Sequence, residues 1–320
     1  MTDVKEFSAR VLESLGKVII GKSQSLELLV IGLLCQGHIL IEDVPGVGKT
    51  MLARSLARSL DCTFNRIQFT PDMLPSDVTG VSVFNQQKND FEFRPGPIIG
   101  QVILADEINR ATPKTQAALL EAMEERQVTV DGVTHAMPQP YIVLATQNPI
   151  EYEGTFPLPE AQLDRFLLRM RLGYPGINDE IRIMDDQQLA HPLESLTPIA
   201  SANEVVAMSK AVRQVYISNA VKRYIVELST RTRQSKDVYL GASPRGSLSL
   251  ARAAQARAAM RGRDHVLPDD VKALAVSVLA HRIIVSAAAR LHDVSSDKIV
   301  QEIVLSTPAP GGTFESAKAT

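Results

Sequence analysis

The chain has 320 residues, 45% hydrophobic and 22% charged, with a net charge of −2. That length allows two domains and a sizeable core, and the near-neutral balance excludes a global attraction to nucleic acid or to an anionic membrane. Two cysteines, Cys35 and Cys62, and six scattered histidines without ligand spacing argue against a disulfide framework or a transition-metal centre.

The N-terminus, M-T-D-V-K-E-F-S, is polar and acidic and does not read as a secretory leader. The longest apolar run, Leu26 to Leu34, falls short of the roughly 20 residues that a membrane span needs. A cytoplasmic protein without direct membrane insertion is expected. Val4, Phe7, Val11, Leu12 and Leu15 recur at helical spacing, and a second helix is predicted from about Ser23 to Cys35. Between them Ile20 and Gly21 form a turn placed to touch an adenine ring, although an ordinary interhelical turn fits the same residues.

H-I-L-I then reads as a short buried strand, followed by Asp43-Val44-Pro45-Gly46-Val47-Gly48-Lys49-Thr50 and a helix opening through Met51. Strand, glycine-rich turn and helix in that order make a phosphate-binding loop. Successive backbone N–H groups point at one anion, and the helix N-terminus adds partial positive charge. Lys49 is placed to reach the β- and γ-phosphates and the Thr50 hydroxyl to ligate Mg²⁺. Asp43 stands where the strict pattern has glycine, and its tolerance of left-handed backbone keeps the turn possible.

T-F-N-R-I-Q-F reads as the next strand, and V-S-V-F with F-E-F around Asn85–Asp90 reads as a hairpin projecting from the core. Q-V-I-L-A-D-E is a continuous apolar strand of the kind covered on both faces. It puts Asp106 and Glu107 at its C-terminal end, where open parallel sheets bind ligands. Asp106 is assigned to Mg²⁺ and Glu107 to the attacking water; a helix cap with a first-turn acid is the plainer alternative.

Thr112 and Pro113 open a helix, and Asp131-Gly132 marks a second hairpin. P-Y-I-V-L-A-T-Q-N-P is another buried strand ending at Asn148, which either positions the water or simply opens the turn before Pro149. A short helix and a last strand follow, with Arg165 just before that strand. Arg165 could reach a neighbouring copy's γ-phosphate or sit in a surface ion pair.

Composition shifts at Gly173-Tyr174-Pro175-Gly176, which divides residues 1–175 from residues 176–320. Helices are predicted over 179–189, 202–215, 219–233, 244–260 and 269–284. Arg245 falls in the first turn of one of them, where a cation opposes the helix dipole, so a phosphate met from the lid side would explain it. A small-residue tail from about 307 reads as disordered.

Four stretches resemble the MoxR branch of the AAA+ ATPases over nearly the full length. They are I-E-D-V-P-G-V-G-K-T, A-D-E-I-N-R-A-T-P-K-T-Q-A-A-L-L-E-A-M-E-E, A-T-Q-N-P-I-E-Y-E-G-T-F-P-L-P-E-A-Q-L-D-R-F and G-A-S-P-R-G. The resemblance implies an α/β P-loop core with a parallel five-stranded sheet in αβα layers, two β-hairpin inserts and an all-α lid. It implies Lys49 and Thr50 as the Walker A pair, Asp106 and Glu107 as the Walker B pair, and Asn148 as sensor 1. Arg165 looks like the arginine finger and Arg245 like sensor 2. ATP and Mg²⁺ are the implied cofactors, a homo-oligomer in the form of a hexameric ring the implied assembly, and a protein client, including a von Willebrand factor A domain protein, the implied partner. Loss of the γ-phosphate would relax Asn148 and Arg245 and let the lid rotate. A nucleic-acid motor of the MCM type is disfavoured by hairpin tips that set one lysine against acids. A chelatase-type subunit would need a further partner, and a non-hydrolysing scaffold would be free to lose Glu107, Asn148, Arg165 and Arg245.

Overall fold

The computed structural model describes residues 2–149, 154–189 and 192–310. Two helices come first, α1 (Thr2–Gly16) and α2 (Ser23–Leu34). α2 buries Leu26 and Leu28 to Leu34 and so is interior on nearly every side, which accounts for its uninterrupted apolar run. The central part then runs β1 (Ile39–Glu42), α3 (Lys49–Ser59), β2 (Phe64–Gln68), α4 (Pro75–Thr79), β3 (Gly80–Asn85), β4 (Asp90–Pro95), β5 (Val102–Asp106), α5 (Pro113–Glu125), β6 (Gln127–Val130), β7 (Val133–Ala136), β8 (Ile142–Gln147), α6 (Glu160–Leu163) and β9 (Leu168–Met170).

Five of these strands form one sheet in the order β2-β5-β8-β1-β9, and every pairing in it is parallel. Alternate residues feed two apolar layers, as the pleat requires. Ile39, Ile41, Val102, Leu104, Ile142 and Leu144 pack with α1–α3. Leu40, Ile103, Ala105, Val143 and Ala145 pack with Leu119, Leu120 and Met123 of α5. Both hairpins, β3–β4 and β6–β7, stay outside this sheet, and the Phe93 ring stacks on His135 to join them, with centroids 3.9 Å apart.

The remaining elements are α7 (Ile177–Leu189), α8 (Ala202–Val212), α9 (Asn219–Gln234), β10 (Val238–Leu240), α10 (Pro244–Met260), α11 (Pro268–Leu279), β11 (Ile284–Val285), α12 (Ala287–Leu291) and α13 (Ser296–Ser306). The first apolar layer continues without a break from α1–α3 into α8–α11.

Three expectations need correction. The helix predicted to reach Ile284 ends at Leu279, because His281 and Arg282 turn inward. The Arg282 guanidinium donates to Asp164 Oδ1 at 2.8 Å and to the Leu167 carbonyl at 3.1 Å. The helix predicted to Val215 stops at Val212, where tighter bonds from Gln214 N and Val215 N three residues back close it. At the C-terminus α13 occupies a stretch to which the sequence reading assigned no element. Its cap is Ser295, whose hydroxyl accepts from Lys298 N. Thr307 beyond it is still buried. The rest of the predicted disordered tail, residues 311–320, lies outside the described residues.

Candidate functional site

The phosphate loop leaves the C-terminal end of β1 and enters α3 at Lys49. Gly46 and Gly48 have φ of +83° and +93°, the left-handed region where a side chain is strained. A Cβ built on either would meet nothing within 4 Å, so these glycines serve backbone shape and an open approach rather than packing. Gly48 caps α3 without a side-chain hydrogen bond to the first turn. The backbone N–H groups of that turn, through Thr50 and Met51, therefore keep the anion-binding character of a helix N-terminus. Lys49 Nζ donates to the carbonyls of Asp43 at 2.8 Å and Val44 at 3.2 Å.

Asp43 does something the sequence reading missed. It is absent from the residues of positive φ, so the turn does not need left-handed backbone there. Its buried carboxylate instead accepts three backbone N–H groups. Leu172 N and Gly173 N reach Oδ2 at 2.6 and 2.7 Å, and Val44 N reaches Oδ1 at 3.0 Å. The phosphate loop is thereby tied to the chain leaving β9. Two residues on, the Tyr174 carbonyl accepts from Lys22 Nζ at 2.7 Å. Beside it lie the buried Ile20 and the exposed Gly21, the latter at φ +72° with the Asp179 carboxylate of α7 closing over the place a Cβ would take. The predicted adenine-contacting turn is thus placed at the same sheet edge as the loop.

The acids stand at the end of β5, between β2 and β8. Asp106 is 8% exposed. Its Oδ1 accepts from the Thr146 hydroxyl at 2.6 Å, and its Oδ2 accepts from Arg66 at 2.7 and 3.2 Å. Glu107 holds a left-handed backbone, φ +56°, an uncommon state for a non-glycine residue and one that clusters at functional sites. Glu107 N donates to the Thr146 hydroxyl at 2.9 Å, and its Oε2 accepts from Gln68 at 2.7 Å and Arg110 at 3.2 Å. Asn148 is buried just past β8, and its carbonyl accepts from Asn109 at 3.5 Å. Arg66, Gln68, Arg110 and Thr146 were not singled out from the sequence. The available signal was register: Gln68 pairs with Asp106, and Ala145 with Ala105, so strand ends meet there.

Arg165 and Arg245 do not join that group. Arg165 precedes the N-terminal end of β9, where Leu167 N bonds the His38 carbonyl just ahead of β1. Both arginines face Glu124, near the C-terminal end of α5. Arg245 pairs with Glu124 Oε1, and Arg165 Nε lies 3.9 Å from Oε2. They share a basin with Arg126, Arg213 and Arg252. Because the sheet is parallel, this basin lies at the strand edge opposite the phosphate loop. The unfavourable cation in the first turn of α10 is answered by Glu124 across the basin, a partner 121 residues away that no local pattern signals.

Residues 38–168 match the model for the ATPase family associated with various cellular activities (AAA), and residues 230–303 match the AAA lid domain. Chaperone MoxR1 of Mycobacterium tuberculosis is 38% identical over 94% of this chain and 82% of its own length. The chain belongs to the MoxR family of AAA+ ATPases. The uncharacterized protein YeaC of Bacillus subtilis is 49% identical over 96% of both chains. A candidate ATPase from Cytophaga hutchinsonii, solved as a crystal structure, superposes with a TM-score of 0.89 at 39% identity, covering 96% of this chain and 97% of that one.

The MoxR-family site fits a nucleotide with a divalent cation. The cradle over Gly46 and Gly48 is open, and Thr50 with Asp106 offers only oxygen donors, the set that a hard cation takes. Among the described residues no helix is long and apolar enough to cross a membrane.

Proposed function

We propose that this ATPase hydrolyses Mg-ATP at sites shared between neighbouring copies in a ring, and uses lid movement to remodel partner proteins. The observation that carries this reading is the separation of Arg165 and Arg245 from Lys49 and Glu107, at opposite strand ends of one parallel sheet. A single chain does not complete the constellation. Two chains set head to tail do.

In this reading the backbone amides from Pro45 to Thr50, Val47 included, hold the phosphates, while Ile20 and Gly21 border the adenine. Lys49 exchanges its carbonyl partners for β,γ-oxygens. Thr50 and Asp106 would hold Mg²⁺, which when bound would supply charge neutralisation. Glu107 orients the water, with Asn148 beside it. Arg165 of the neighbouring copy stabilises transition-state charge, an effect worth on the order of 10³–10⁵ in rate for such arginines. Arg245 acts with Arg165 through their common carboxylate, Glu124, rather than over the nucleotide of its own chain. The lid begins near residue 176, and Asp43 links its connection to the phosphate loop.

Protein rather than nucleic acid is the favoured client. The first hairpin offers Phe84 and Phe91, 46% and 68% exposed, and its lysine, Lys88, is paired with Glu92. A von Willebrand factor A domain protein is the partner class proposed, in the cytoplasm.

The test mixes two inactive variants, Lys49→Ala and Arg165→Ala. Shared sites predict that the mixture regains hydrolysis, because some interfaces then combine an intact cradle with an intact arginine. A mixture that stays inactive, or an Arg165→Ala chain that hydrolyses at the parent rate as a monomer, refutes the reading.

A further inference from the structure

We propose that α7 is a docking helix for a second copy of this chain, seated against that copy's arginine basin. This rests on the ring reading and adds to it the surface that holds the copies together.

Three apolar side chains of α7 point into solvent. Ile177, Ile181 and Met184 are 81%, 53% and 69% exposed, and at spacings of four and three they form one stripe. None of the described side chains of the helix is buried. An amphipathic helix ordinarily covers such a stripe, and a contiguous exposed one marks an interaction surface. Carboxylates flank the stripe, Glu180 on one side and Asp185 on the other, while on the far face Asp186 pairs with Arg182 and Asp179 closes over Gly21. The helix is also aimed. Its entry is pinned by Asp43 to Leu172 and Gly173, and by Lys22 to Tyr174. It therefore departs from the phosphate-loop edge of the sheet.

The opposite edge carries the complementary chemistry. Arg126, Arg165, Arg213, Arg245 and Arg252 line the basin. Its two carboxylates are already engaged, Glu124 by Arg165 and Arg245 and Asp164 by Arg282. Burial, and then the repulsion of Arg213 and Arg252, hold the Arg126 guanidinium below its ordinary pKa. On the basin's rim Leu248, 60% exposed, lies one helical turn beyond Arg245 on α10. An apolar stripe edged with acids thus faces the needs of an apolar contact edged with arginines.

The two surfaces lie at opposite edges, so they satisfy each other only between copies. That is a heterologous, head-to-tail contact, which closes into a ring when the rotation allows. The same contact brings the basin's Arg165 toward the neighbour's phosphate loop, because α7 starts beside Gly21. Assembly and completion of the site become one event.

The experiment uses sedimentation velocity of the full chain with Mg-ATP. One variant carries Ile181→Asp and Met184→Asp, the other Arg213→Glu and Arg252→Glu. All four positions lie outside the nucleotide machinery, and a fluorescent ATP analogue should bind both variants within twofold of the parent. Each alone should need about a hundredfold higher concentration to assemble, the scale of an uncompensated charge buried in an interface. Mixed in equal amounts they should form dimers and nothing larger, since only one intact α7 meets one intact basin. Reversing Glu180 and Asp185 to Arg in the Arg213→Glu, Arg252→Glu chain should restore parent-sized assemblies. An α7 variant that assembles as the parent does overturns the docking assignment, even while Arg165→Ala remains inactive. A parent that assembles through α7 yet loses nothing on Arg165→Ala overturns the shared-site reading and leaves docking standing. A parent that stays monomeric overturns both.

Discussion

Replacing Asp43 by glycine restores the residue that the common phosphate-loop pattern has at this position, so a reading by motif alone predicts no harm. The structure predicts a clear loss. In Asp43→Gly the N–H groups of Leu172, Gly173 and Val44 lose the acceptor they now reach at 2.6, 2.7 and 3.0 Å. A hydrogen bond to a charged group contributes about 1.5–3 kcal/mol. Water reaches the partly buried Gly173 and Val44 and recovers some of this, and removing the carboxylate also removes the cost of burying it. Glycine adds about 0.5–1 kcal/mol of backbone entropy lost on folding. The net expectation is about 3 kcal/mol, or a Tm lower by about 5 °C in a chain of this size. Thermal and urea melts without nucleotide measure it, and an accompanying rise in the KM for ATP would report the loosened loop. Asp43→Asn should fall between the two, because one oxygen remains while its amide group opposes Val44 N–H. An Asp43→Gly chain that melts with the parent would show that the clamp contributes nothing, and the argument from its three donors would fail.

Other perturbations have equally definite outcomes. Glu107→Gln should still bind ATP but hydrolyse it at least about a hundredfold more slowly, read by steady-state phosphate release; parent-like turnover would remove Glu107 from its role. Burial pushes the His38 imidazole down from 6.5 to about 4, against a smaller opposing effect of its bond to the Met123 carbonyl. The unfolded chain therefore binds the extra proton first, so this contribution is intact above pH 6.5 and is lost as pH falls toward 4. It amounts to about 3 kcal/mol at roughly 1.4 kcal/mol per pKa unit. The difference between parent and His38→Asn melts across that window isolates it. Arg66→Gln removes the cation that occupies Asp106 Oδ2, so half-saturation by Mg²⁺ in the hydrolysis assay should shift to lower concentration, severalfold at most because Arg66 is 46% exposed and screened.

The sequence was most informative where chemistry and local period coincide. A glycine turn between an apolar strand and a helix located the phosphate loop, and the continuous apolar runs of β5 and β8 located Asp106 and Asn148. Pro244 marked the start of α10 to the residue. It was least informative where partners are distant in the chain. Asp43 meets Leu172 and Gly173, which lie 129 and 130 residues away, and Arg66 meets Asp106 across 40 residues. Such pairs are set by strand register, which no short window contains. The same holds for Glu124, whose significance appears only when α5, α6 and α10 converge. α11 was overextended for a related reason: the inward bonds of Arg282 to Asp164 and Leu167 end the helix although its own residues could continue it.

One hydroxyl links the two acids. Thr146 donates to Asp106 and receives the Glu107 N–H, and it sits on β8 two residues before Asn148. A displacement of that strand by a fraction of an ångström would turn the cation-side carboxylate and the water-side backbone together. A second link runs beside it, from Asp106 through Arg66 and Gln68 to Glu107, so the threonine and this short relay together keep the two halves of the chemistry in step.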